Sequence, residues 1–263
     1  MSEPAVLYDV QDHVATVTLN RAENRNSMTE DILRGLEEAT ARVKQDVDVR
    51  AVLITGRGKS FCAGADFKTG AQRNPGPRPL TPSEKSFAMY QPFLKLLEIE
   101  VPVIGGLNGH AVGGGLGLAL VCDIRVANAS AKYGANFTKL GLHPGMATTY
   151  LLPRIVGVPR AAELLFTGRL VDGAEAERMG LVNYAVPGDE VEARARELAR
   201  DCAAAAPLAN RWTKRSLYAH NDWSPQQAAW HEAQLQSRSL DTADAREGVA
   251  ALLEKRAPVF KGE

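Results

Sequence analysis

Three apolar runs constrain this chain most. Ala51–Thr55 (AVLIT) is continuously apolar rather than alternating, the pattern of a strand buried on both faces, as in a parallel sheet covered by helices. Val101–Gly109 (VPVIGGLNG) reads as a second such strand and Asp123–Asn128 (DIRVAN) as a third. Helical segments fall between them, so an α/β fold with crossover connections is expected. His13–Asn20 (HVATVTLN) adds a β-branched, period-two strand near the start. Ser27-Met28-Thr29-Glu30 matches a capping box, a serine with glutamate three residues later. The helix it opens places Met28, Ile32, Leu36, Ala39 and Val43 on one face. Arg73–Ser83 is rich in proline and reads as a loop ahead of a helix near Glu84–Glu98.

From about Asp189 the pattern is helical to the end, broken at Pro207, with further helices running toward His220, from Ser224 and from Thr242. This divides the chain into a core, 1–188, and a helical region, 189–263. The second part has too little core of its own, so it is expected to pack on the first and on neighbouring subunits.

Lys plus Arg equals Asp plus Glu, 31 each. This balance argues against nucleic acid or an acidic membrane surface as the partner. Cys62, Cys122 and Cys202 are widely spaced and odd in number, which points to reduced thiols in a cytoplasmic protein rather than a disulfide framework or zinc site. The first residues lack a signal-peptide pattern, and no run approaches the roughly 20 apolar residues of a membrane span. Neither a metal nor a permanently bound cofactor is expected.

Gly109–Asp123 (GHAVGGGLGLALVCD) and Gly56–Ser60 (GRGKS) both suggest phosphate loops, and both fail. A P-loop needs a glycine where Leu53 stands, and a dinucleotide fingerprint read from Gly115 and Gly117 needs one at Leu120. What AVGGGLG shares with FCAGAD is small residues after a buried strand. Two readings remain open. The glycines allow tight packing of helix on strand, or they let a ligand reach the backbone so that two N–H groups form an oxyanion hole. A helix from about Leu116 would add its positive end.

The segments SFCAGADF (60–67), VPVIGGLNGHAVGGGLGLALVCDIRVA (101–127), AKYGANFTKLGLHPG (131–145), LPRIVG (152–157) and LLFTGRLVDGAEAERMGLVNYAV (164–186) follow one another in the chain, and EKRAPVFKG (254–262) closes it. They resemble the successive motifs of the crotonase superfamily, the enoyl-CoA hydratase/isomerase group, over essentially the whole sequence. The resemblance implies a spiral of ββα units with a C-terminal helical trimerisation region, assembled as a homotrimer or a dimer of trimers. It implies an acyl-CoA thioester as substrate, coenzyme A entering only as part of it, and an enolate intermediate, as in fatty acid metabolism. The oxyanion donors would be the backbone N–H groups of Ala65 and Gly114. Glu23, Asn24 and Arg25 would contact coenzyme A, as would the loop Ala63, Asp66 and Phe67, with Asp66 a loop-stabilising residue. Lys68 and Lys255 would approach the 3′-phosphate or adenine, or remain solvated. Tyr90 and Phe137 would border the acyl pocket.

The sequence departs from this family at the proton-transfer positions. Hydratases resemble one another in two glutamates; here those positions hold Gly117 and Phe137. A further family aspartate would stand at Gly145. Ordinary hydration needs an acid and a base, so isomerase, decarboxylase or thioester hydrolase chemistry is expected instead, or acyl-CoA binding without catalysis. His143 is the remaining candidate for proton transfer, or else a structural imidazole. His110 is expected to point away from the ligand.

Overall fold

The computed structural model describes residues 3–66, 78–219 and 223–263. Strands β1 (Val6–Gln11) and β2 (Val14–Leu19) form a hairpin. Its two turn residues, Asp12 and His13, are left-handed, with φ of 50° and 62°, so the turn twists in the same sense as the strands. Helix α1 (Glu30–Gln45) crosses over to β3 (Ala51–Gly56), parallel to β2.

From β3 onward the chain repeats a long strand, a short strand and a helix. β3 is followed by β4 (Ser60–Cys62) and α2 (Pro82–Leu94). β5 (Val103–Leu107) leads to β6 (His110–Val112) and α3 (Gly114–Leu120). β7 (Ile124–Asn128) leads to β8 (Lys132–Gly134), then α4 (Thr148–Val156) and α5 (Val158–Thr167). β9 (Val171–Asp172), α6 (Gly173–Arg178) and β10 (Tyr184–Val186) complete the turn. The long strands and β10 form one sheet, ordered β1-β2-β3-β5-β7-β10; the short ones form a second, β4-β6-β8-β9.

The unbroken apolar sequence of β3 has a clear cause. Val52 and Ile54 point into the main core, while Ala51 and Leu53 point to the opposite face, against α7 (Val191–Ala204). Ala195, Ala199 and Ala203 recur every fourth residue on α7. Small side chains at that spacing let the helix lie close on the sheet, with the Ala195 Cβ 3.2 Å from where a Cβ on Gly106 would stand. Helix α8 (Pro207–Ala219) is tied down through Asp123. That carboxylate accepts from Val103 N (2.7 Å), Lys214 Nζ (2.7 Å) and the Tyr218 hydroxyl (2.6 Å). Helices α9 (Pro225–Leu240) and α10 (Ala243–Glu254) follow, with Leu217, Trp230, Leu252 and Leu253 exposed on this region. No described helix is long and apolar enough to cross a membrane.

Three boundaries differ from the sequence reading. Ser27 does not cap α1; its hydroxyl donates to Asn24 O at 2.7 Å, and Thr29 is the N-cap residue. Arg25 and Asn26 are left-handed, and Met28 is drawn into a parallel bridge with Ala65, donating to Gly64 O at 2.9 Å. The chain is therefore extended at Met28 and turns helical only at Glu30. α2 starts earlier than expected, at Pro82, where Thr81 and Glu84 form a true capping box. α3 begins at Gly114 itself rather than near Leu116.

Candidate active site

Parallel pairing of β4 with β6, Cys62 opposite Ala111, sets the two small-residue loops side by side at the ends of their strands. They touch closely. A Cβ on Gly64 would stand 2.7 Å from Val112 O and 3.0 Å from the Gly114 nitrogen. Gly64 also has φ of 86°, so both space and backbone conformation demand glycine there. Gly113 (φ 58°) turns the other chain, its N–H donating to Gly134 O at 2.9 Å. Gly114 is the first residue of α3, so its N–H has no acceptor within the helix. Beside it, Gly64 O takes the Met28 N–H in the bridge, so Ala65 itself does not serve that bond.

Met28 underlies the junction: a Cβ on Gly114 would lie 2.5 Å from its sulfur. The short 3-10 helix Ala22–Asn24 joins from the side, because Ala63 N donates to Arg25 O at 3.1 Å. Glu23, Asn24 and Arg25 therefore stand next to the Ala63–Asp66 loop, with Glu23 and Arg25 exposed and Asn24 half-buried. Asp66 is half-buried. Phe67 and Lys68 lie outside the described residues. Burial pushes the Cys62 thiol up to about 12, so the sulfur beneath the loop is a neutral packing group.

The three positions that lack a carboxylate are occupied as follows. A Cβ on Gly117 would meet the Met146 Cβ at 2.5 Å; Met146 is buried and left-handed, φ 60°, as is Ala147 at 53°. Phe137 lies in the 3-10 helix Asn136–Leu140, packed on the main core, its ring tip 4.0 Å from where a Cβ on Gly113 would be. Gly145 faces Tyr90, whose ring Cζ would lie 2.8 Å from a Cβ at that glycine. The structure thus brings Ala63, Ala65, Asp66, Gly114 and Phe137 together and sets Tyr90 against Gly145, next to the Met146 that packs on Gly117.

The other candidates have the following local partners. His143 is exposed, with Nδ1 2.7 Å from Pro144 O. His110 is exposed and its Nδ1 accepts from Lys132 N at 2.9 Å. Lys255 ends α10 in a left-handed cap, φ 56°, and no hydrogen bond or ion pair among the described residues links it to the Ala65 region. Met28 and Met146, which shape the site from below, carried no sequence signal beyond hydrophobicity.

A spiral of ββα units with glycine loops converging at the ends of its short strands is the crotonase fold. The crystal structure of enoyl-CoA hydratase from Bacillus anthracis superposes with a TM-score of 0.91 at 34% identity, covering 98% of this chain and 100% of that one. The crystal structure of enoyl-CoA hydratase from Mycobacterium smegmatis gives 0.87 at 31%, covering 98% and 99%. The sequence profile described as Enoyl-CoA hydratase/isomerase matches residues 9–263. The chain is also 38% identical over 262 residues to (E)-benzylidenesuccinyl-CoA hydratase of Thauera aromatica, covering 98% of this chain and 99% of that protein. This chain belongs to the enoyl-CoA hydratase/isomerase family.

Proposed function

We propose that this protein binds an acyl-CoA thioester and stabilises the enolate of its acyl group through the backbone N–H groups of Ala65 and Gly114. The observation that carries this reading is the contact between the two loops, with the Gly114 nitrogen 3.0 Å from a Cβ position on Gly64. Preorganised donors aimed at a developing oxyanion are worth about 10²–10³ in rate each. Glu23, Asn24, Arg25, Ala63, Asp66, Phe67, Lys68 and Lys255 are assigned to the coenzyme A end. Tyr90 and Phe137 are assigned to the acyl end.

Relatives are named hydratases, but this chain offers no carboxylate at positions 117, 137 or 145. An acid and a base contribute roughly 10²–10⁴ each to such chemistry. The reading follows the residues present: isomerisation, decarboxylation or thioester hydrolysis, each of which draws on enolate or oxyanion stabilisation. The phenylalanine at 137, and a relative whose named substrate carries a phenyl ring, support an extended or ring-bearing apolar acyl group. The same three positions favour a second reading, an acyl-CoA-binding protein without turnover. The exposed Leu217, Trp230, Leu252 and Leu253 support assembly as a homotrimer or dimer of trimers; light scattering that finds a monomer at micromolar concentration contradicts it.

The test is Ala65→Pro, which removes one donor N–H. Binding and turnover are measured against enoyl-, malonyl- and aryl-CoA thioesters. Folded Ala65→Pro protein should lose turnover by at least about 10²-fold. Unchanged binding and turnover contradict the assignment, and tight binding by the wild type without turnover of any thioester establishes the second reading.

A further inference from the structure

Tyr90 lies in the last turn and a half of α2 and is half-buried. Its ring packs on the main core, as Met89 and Phe137 do. The phenol fits against Gly145, where any side chain would meet its hydroxyl. The next residue, Met146, closes on Gly117, one turn into the helix that begins at Gly114. The segment 145–147 therefore holds the Tyr90 oxygen next to the packing contact that supports the first turn of α3.

Among the described residues this hydroxyl makes no hydrogen bond, and two carbonyls of the segment it rests on are already engaged. Gly145 O accepts from Thr148 N at 3.1 Å and from the Thr148 hydroxyl at 2.6 Å. Pro144 O lies 2.7 Å from the His143 ring nitrogen. Of the other tyrosines on this core, buried Tyr133 shares its hydroxyl proton between Leu107 O and Asn128 O, whereas the Tyr8 hydroxyl is buried without a partner. A tyrosine with its body in an apolar wall and its O–H unmet presents a directed donor.

Resting on the acyl-CoA reading above, we infer that the Tyr90 hydroxyl is the hydrogen-bond donor that reads the acyl group, and that the acyl chain of the substrate carries an acceptor oxygen (carboxylate, carbonyl or hydroxyl) beyond its thioester. Gly145 is the residue that permits this, because a Cβ there would displace the phenol. An acyl group without such an oxygen leaves the donor stripped of water and unpaired, which penalises it.

The test is titration calorimetry of the full-length protein, needing no turnover. Butyryl-CoA is compared with 3-hydroxybutyryl-, 4-hydroxybutyryl- and succinyl-CoA, and benzoyl-CoA with 4-hydroxybenzoyl-CoA. At least one oxygenated thioester should bind about tenfold more tightly than its apolar counterpart, one hydrogen bond's worth. Tyr90→Phe should abolish that advantage, read as the ratio of oxygenated to apolar thioester affinity within the same variant. Gly145→Ala should abolish it too, with the tyrosine still present. If the apolar thioesters bind but the oxygenated ones gain nothing, or the gain survives Tyr90→Phe, the inference falls alone. If no thioester in the set binds, the acyl-CoA reading falls and takes this inference with it.

Discussion

The Met146 Cβ stands 2.5 Å from the point where a side chain on Gly117 would begin, with its Cγ at 3.0 Å. The space beside Gly117 is therefore filled from the neighbouring segment. Placing a carboxylate there is not a local change. Gly117→Glu is expected to destabilise the protein by about 3 kcal/mol, since atoms so near the backbone cannot swing aside. Combining it with Met146→Gly frees the space and gives a φ of 60° to a residue that adopts it without cost. Urea denaturation should show the double variant at least about 1 kcal/mol more stable than the sum of the single losses predicts. Simple additivity contradicts this packing.

Gly114 and Gly115 are adjacent but differ in what surrounds them. A Cβ at 114 meets the Met28 sulfur, near the mobile end of a side chain; a Cβ at 115 meets the Cys62 carbonyl, with its carbon at 2.6 Å. Gly114→Ala should fold with a loss of about 1–2 kcal/mol, whereas Gly115→Ala should lose more than about 4 kcal/mol or fail to fold. Equal melting temperatures for the two variants would overturn the description of this junction.

Burial pushes the Cys62 thiol up to about 12 and does the same to Cys122. Both thiols are held above their ordinary range by burial, so folding favours the neutral thiol. That contribution is complete below about pH 9 and is lost progressively as the pH rises from 9 toward 12. Stability by urea denaturation should fall across this window, and less so in the Cys62→Ala/Cys122→Ala protein. A thiol reagent at pH 8 should label neither cysteine before unfolding; rapid native labelling of both contradicts their burial.

Much of the spiral was legible because its strands are buried on both faces and therefore unbroken, as in Ala51–Thr55. Helices read from Ser224 and Thr242 begin there, each side chain capping its own helix. The start of α1 was not legible, because a hydrogen bond to Gly64, 36 positions away, holds Met28 extended. The left-handed Met146 and Ala147 were hidden for a related reason: glycine or asparagine marks most such positions, and here tertiary packing imposes them on ordinary residues. The loops Ala63–Asp66 and Gly113–Gly115 were recognisable from their small residues. That Tyr90 rests on Gly145 depends on the crossing of two distant segments, which local sequence does not encode.

The proposed site is an oxyanion hole with no carboxylate at positions 117, 137 or 145. The rate of crotonyl-CoA hydration by the wild-type protein tests it most directly, measured at a concentration where calorimetry shows the thioester bound. Saturable binding is expected, with hydration at least about 10⁴-fold below ordinary enzymatic turnover, as the absence of two proton-transfer groups acting as a unit would give. Turnover on the order of 10 s⁻¹ would contradict it and assign the acid and base to residues other than those at positions 117, 137 and 145.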